Sequence, residues 1–195
     1  VPGSGGYALV GFEAVSGSGG LIPVINSTAT PAPFQPAGAS GYGIELVAKL
    51  SDRYLGMLHY EDVSIHGDDS SIESRFDVSP MFVFSGSRFA VGLSYASLQR
   101  STAMSTSNGL GFALALLPDF SRRASPYVSA FLYPRLPAGN NTSGALGVLR
   151  AGVAFTPPHA QGFFARIGVL TQNFGAPAFS PKSLSGVEFG LGTTF

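Results

Sequence analysis

Val187-Glu188-Phe189-Gly190-Leu191-Gly192-Thr193-Thr194-Phe195 ends the sequence with a period of two. Val187, Phe189, Leu191, Thr193 and Phe195 fall on one side, and Glu188, Gly190, Gly192 and Thr194 on the other. Successive side chains of an extended chain point to opposite faces, so this alternation predicts a strand with one apolar face. The opposite face carries a carboxylate, two glycines and a hydroxyl.

The same rhythm runs back through the chain. Ala8, Val10, Phe12 and Ala14 alternate with Tyr7, Leu9, Gly11 and Glu13, and Tyr42, Ile44, Leu46, Ala48 and Leu50 with Gly43, Glu45, Val47 and Lys49. Phe76, Val78, Pro80, Phe82 and Phe84 oppose Arg75, Asp77, Ser79 and Met81, while Phe163, Ala165, Ile167 and Val169 oppose Arg166 and Gly168. Turn residues between the runs predict ten strands, at 5–17, 39–51, 53–66, 71–85, 88–99, 108–118, 125–137, 144–156, 161–173 and 184–195. Eight strands is the alternative if the first loop and a flanking run are parsed differently. Pro80 and Pro134 each remove a ladder donor from a strand interior, which predicts bulges there.

Composition agrees with an all-β chain and narrows what it can do. The 195 residues include 26 Gly and 14 Pro, which argue against long helices. Charged residues make up 11% of the chain, against about 25% in ordinary soluble domains. The 11 Lys and Arg balance the 11 Asp and Glu, so no basic field exists to collect nucleic acid. There is no Cys, hence no disulfide and no thiolate metal site, and with three His no metal or cofactor is expected. The mean hydropathy is +0.27, yet no run approaches the roughly 18 apolar residues of a spanning helix. The chain starts at Val1 without a charged leader, as expected if a signal peptide has been removed. No linker is visible, so 1–195 reads as a single domain.

The placement of charge sharpens the fold class. Glu13, Glu45, Lys49, Glu61, Glu73, Arg75, Asp77, Arg135, Arg150, Arg166 and Glu188 sit mid-strand, opposite the greasy face. Most other charges fall in turns or at strand ends, with Asp62 an exception. A soluble β-sandwich or jelly roll would place its charge on a wet face rich in Lys and Glu, but these faces are mostly Gly, Ala and Ser. Strands of 11–15 residues, with short links alternating with longer ones, fit a closed antiparallel transmembrane β-barrel with lipid outside and a polar lumen.

In these features the chain resembles the small outer-membrane β-barrels of Gram-negative-type bacteria. Its last strand looks like their assembly signal, a terminal aromatic preceded by alternating apolar residues: Val187, Phe189, Leu191 and Phe195. Thr193 stands where that family often has another aromatic. No Trp is present, so the seven tyrosines are the candidates for interfacial girdles. The resemblance implies a place in the bacterial outer membrane, with short periplasmic turns and longer extracellular loops. It also implies contact with lipid and lipopolysaccharide, and with the barrel assembly machinery during biogenesis.

Within such a ring, acids from the first four strands and the last would face Arg135, Arg150 and Arg166. This reads as a salt-bridged plug, with a narrow passive pore for small polar solutes or ions as the alternative. The first loop, 18–38, is unusually apolar through Leu21, Ile22, Val24, Ile25 and Phe34. It either folds over the barrel mouth or docks a protein partner. No catalytic residue is assigned. The best grouping is Ser64, His66, Asp68, Asp69 and Glu73, loosely similar to outer-membrane lipid A deacylases but with serine and histidine reversed, and faintly to outer-membrane aspartyl proteases. His59 and Glu61 share a face and read as a lumen hydrogen bond. The expected function is therefore a structural, scaffold or partner-binding membrane barrel.

Overall fold

A computed structural model describes residues 5–16, 38–65, 71–100, 105–137, 143–158, 162–176 and 179–195. Ten strands account for nearly all of them: β1 (Gly6–Ser16), β2 (Gly38–Lys49), β3 (Tyr54–Ile65), β4 (Ser71–Val83), β5 (Phe89–Arg100), β6 (Ser105–Leu116), β7 (Ala124–Pro137), β8 (Ser143–Phe155), β9 (Phe163–Ala176) and β10 (Phe179–Thr194). Each pairs antiparallel with its neighbours in sequence. β1 then pairs with β10, from Tyr7–Thr194 to Ser16–Ser185, and closes the barrel. Closure leaves no open sheet edge. At the seam Gly6 N donates to Phe195 O at 3.0 Å and Phe195 N to Gly6 O at 3.1 Å.

The period of two is realised around the ring. Val10, Phe12, Ile44, Leu58, Phe76, Leu93, Leu110, Leu132, Ile167 and Phe189 all stand exposed on the outer wall, with Leu110 70% and Phe12 63% exposed. Tyr7, Leu9, Val47, Met57, Met81, Leu98, Tyr133, Val148 and Leu170 are buried inside. An outer wall this apolar inverts the usual arrangement of a water-soluble sheet protein.

The end that carries both termini has tight connections. In the β4–β5 turn Gly86 has φ of 71°, a left-handed conformation that a side chain would strain. In the β6–β7 turn, Ser121 donates to Asp119 Oδ1 from its backbone N at 3.1 Å and from its hydroxyl at 2.6 Å. These bonds hold the Asp119 carboxyl below its ordinary range. The turn's hydrogen bonding is therefore complete at neutral pH and is lost as acid protonates the carboxylate.

The expected strands are present, with differences that have physical causes. β10 starts at Phe179 and β9 runs to Ala176, so the segment expected to be a longer loop at 174–183 is largely paired strand, with a register shift between Phe179 and Lys182. Pro80 makes no bulge: pairing with β5 passes from Val78–Tyr95 to Met81–Gly92 in unbroken register. Pro134 does, because pairing with β8 shifts between Tyr133 and Leu136, leaving Pro134 and Arg135 opposite the single residue between Leu146 and Gly144. The bulge reverses the alternation, so Arg135, expected in the lumen, is exposed.

A closed ladder makes β10 the element on which both neighbours depend, since Gly190 pairs with Gly11 on one side and Arg166 on the other. Unboiled protein in detergent is expected to migrate faster than boiled protein on an SDS gel. Gly190→Pro, which removes a ladder donor and crowds Leu9, should weaken the fast band; equal mobility of the boiled and unboiled parent protein would contradict a closed ring.

Candidate functional site: the charged lumen

Nine strands send polar side chains inward to one layer near mid-barrel. Glu13, Glu45, Glu61, Asp77 and Glu188 supply five buried carboxylates, and Arg75, Arg150 and Arg166 three buried guanidiniums. Each charge comes from a strand position that alternation fixes as inward, so no loop has to order for the groups to meet.

Arg150 sits at the centre with no exposed surface. Its Nη2 donates to Glu13 Oε1 at 3.1 Å and to Glu61 Oε2, and its Nε lies 3.2 Å from Glu188 Oε2. Arg75 links three groups, with Nε on Asp77 at 2.7 Å, Nη2 on Glu61 at 2.9 Å and Nη1 on Gln172 Oε1 at 3.1 Å. Arg166 donates to Glu45 at 3.0 Å, lies 3.3 Å from Glu188, and stacks over the Tyr127 ring at 4.6 Å. The fork of a guanidinium suits this bridging, because several donors are held in one plane.

Tyrosines complete the layer. Tyr7 donates to Glu45 at 2.7 Å, Tyr133 to Asp77 at 2.5 Å, and Tyr127 to Glu188. Ser79 donates to Ser94 at 2.7 Å, and Ser94 and Tyr133 share a hydrogen bond of 2.7 Å. These three tyrosines were candidates for interfacial girdles but lie inside; Tyr42, Tyr54 and Tyr95 are the ones exposed outside. The signal was available, because Tyr7 shares the parity of Glu13. Gly168 makes room for Tyr127, since a methyl group there would overlap the phenol oxygen.

His59 is buried, with Nε2 3.4 Å from Glu61 Oε2 and Nδ1 3.8 Å from Glu45 Oε2. The expected His59–Glu61 contact is thus present. Among the described residues, no group of three or more His, Asp or Glu is placed to hold a metal ion.

Apolar side chains pack on both sides of this layer. Toward the termini, Phe120 from the β6–β7 turn packs against Phe164 at 4.5 Å and Tyr7 at 5.4 Å between ring centroids, beside Val47, Leu55, Met57 and Leu117. Toward the opposite end lie Val63, Leu136, Leu146, Leu170 and Leu184, with Leu98 also buried, alongside the buried polar Ser107, Thr171, Gln172 and Asn173. The voids beside the ion pairs are about 10 Å³ each, room for a single water molecule. Phe120 was not singled out from sequence because a turn residue carries no alternation signal.

Other expected site residues fall elsewhere. Lys49 belongs to the rim rather than the lumen: its side chain is 41% exposed and pairs with Asp52 at 2.9 Å in the β2–β3 turn, which brings it out of the ring. The Glu73 side chain, His66, Asp68, Asp69 and the whole apolar segment Leu21, Ile22, Val24, Ile25 and Phe34 lie outside the described residues. Ser64 is half-buried on the outward face, so it points away from the charged layer. Val187, Phe189, Leu191 and Phe195 stand exposed along the outer wall, as the alternation requires.

Removing one member of a buried ion network leaves its partners uncompensated. Arg150→Met is expected to cost about 3–5 kcal/mol of stability in urea titration. Adding Glu61→Gln should return part of that loss, whereas strictly additive costs would show that the two groups are not coupled.

No protein-family model and no curated protein matches the chain. Among solved structures, it is similar to the β domain of the Bordetella autotransporter Brka, at 16% identity and a TM-score of 0.46 over 98% of each chain.

Proposed function

We propose that this chain is an integral barrel of a bacterial outer membrane, with a non-catalytic structural or partner-binding role and a lumen that does not conduct. One observation carries the reading: the buried charges are gathered inside and paired with one another, while the outer wall is a belt of exposed Phe, Leu, Ile and Val. Lipid is the solvent that stabilises such a wall, and strands of 11–16 residues are long enough to cross a bilayer at a tilt. The turns beside the termini would then face the periplasm. The terminal aromatic Phe195 and the alternating Val187, Phe189 and Leu191 are what the assembly machinery would read. Lipid and lipopolysaccharide would be its constant neighbours, and the apolar segment 18–38 its candidate surface for a protein partner.

A sealed lumen has a direct readout. Purified protein in planar bilayers is expected to give no discrete conductance steps at neutral pH; reproducible steps would replace this reading with that of a narrow pore. The lipid-facing wall has its own test. Ile167→Arg should destabilise the folded protein in bilayers by about 2–4 kcal/mol if the residue meets the membrane midplane. A soluble barrel would tolerate the same change with little loss, because the site is already 53% exposed.

A further inference from the structure

The ten seams of the ring are not equally laddered. β5 and β6 pair along twelve residue positions, from Phe89–Leu116 to Arg100–Ser105. β6 and β7, strands of 12 and 14 residues, have five registered pairs, from Leu116–Val128 to Phe112–Leu132. Beyond Phe112, Ser105–Gly111 on β6 and Tyr133–Pro137 on β7 share no registered pair.

The cause is written into β7. Pro134 and Pro137 have no N–H to offer, and the bulge between Tyr133 and Leu136 takes the strand out of phase with its neighbour. On β6 the inward positions Gly109 and Gly111 have no side chains to interlock across the gap. Leu136 lies over Gly109, where a methyl group would meet its Cδ2 at 2.5 Å, and the Ser107 hydroxyl donates to the Pro137 carbonyl.

Buried leucines line the inner side of this seam, with Ser107 its buried polar member. Leu136, Leu98 and Leu146 are buried at this level; the ion-pair layer begins beside them, since Arg75 pairs with Leu98 and the Tyr133 hydroxyl donates to Asp77. The outer lip carries Arg135 on β7 and Asn108 and Leu110 on β6, all exposed. A set of buried leucines behind a weakly laddered wall, with a cation at its lip, matches a membrane lipid: acyl chain against Leu136, Leu98 and Leu146, anionic headgroup on Arg135.

We propose that the β6–β7 seam, on the side away from the termini, is a lateral portal through which the acyl chain of a membrane lipid enters the upper lumen. The inference rests on the membrane reading above. Opening would displace Leu136 and leave the charged layer shut, so lateral entry and a non-conducting lumen are compatible.

The chain has no Cys, so single cysteines accept a nitroxide label without background. Labels at Leu136→Cys in the seam, Leu132→Cys on the outer wall and Val148→Cys inside would be compared in vesicles of phosphatidylethanolamine and phosphatidylglycerol, using oxygen as the lipid-soluble relaxant. The expected result is oxygen access at Leu136 close to that at Leu132 and severalfold above that at Val148. Access at Leu136 equal to that at Val148 overturns the portal. Low access at Leu132 would instead overturn the membrane reading itself. If the Leu136→Cys protein does not fold, hydrogen exchange of the unlabelled protein in the same vesicles decides. Amides of 106–111 exchanging severalfold faster than those of 90–96 support the portal, and equal protection overturns it.

Discussion

Five carboxylates and three guanidiniums share one layer inside this barrel, and the rest of the structure is arranged around the need to satisfy them. A charge removed from water is stable only when paired and hydrogen-bonded, and these groups find partners on the same strand, on neighbouring strands and across the ring. Arg150 joins Glu13, Glu61 and Glu188, and Arg166 joins Glu45 and Glu188. The Arg150–Glu61 bridge joins β8 to β3, on opposite sides of the ring, and so requires a narrow bore. The tyrosine hydroxyls add further donors to the carboxylates Glu45, Glu188 and Asp77, and Gly168 gives up its side chain so that Tyr127 can reach.

The same layer divides the molecule chemically. Outside it the wall is apolar; inside, the buried charges among the described residues gather near mid-height, with apolar clusters on either side. The aromatic cap built by Phe120, Phe164 and Tyr7 does for the terminal end what the leucines do for the other. Solute passage would have to break ion pairs rather than widen a gap.

Much of this was legible in the sequence because a strand's period is two, and parity alone assigns Glu13, Glu45, Glu61, Arg75, Asp77, Arg150, Arg166 and Glu188 to the interior. Where the ladder is interrupted, parity fails. Arg135 follows a bulge at Pro134 and so changes sides, which no counting along the chain reveals unless the bulge is placed to the residue. Lys49 keeps its parity but sits at a strand end, where a long side chain reaches out to Asp52. Phe120 escaped because turns follow no period, and the tyrosines because their amphipathic character suits an interface as well as a lumen. Pairing partners such as Arg75 with Gln172 depend on how the ring closes, a property of the whole chain.

The distance along the chain between charge partners also bears on how the protein forms. Glu13 and Arg150 are 137 residues apart, and Glu45 and Arg166 are 121 apart. Neither pair can meet until most hairpins are in place and the ring is nearly shut. Local hairpins can zip early, but the central layer rewards the chain only at the end, which makes formation slow and closure strongly cooperative. Until then the guanidiniums must stay hydrated, so the nascent barrel has to keep water in its bore and expel it in the final step.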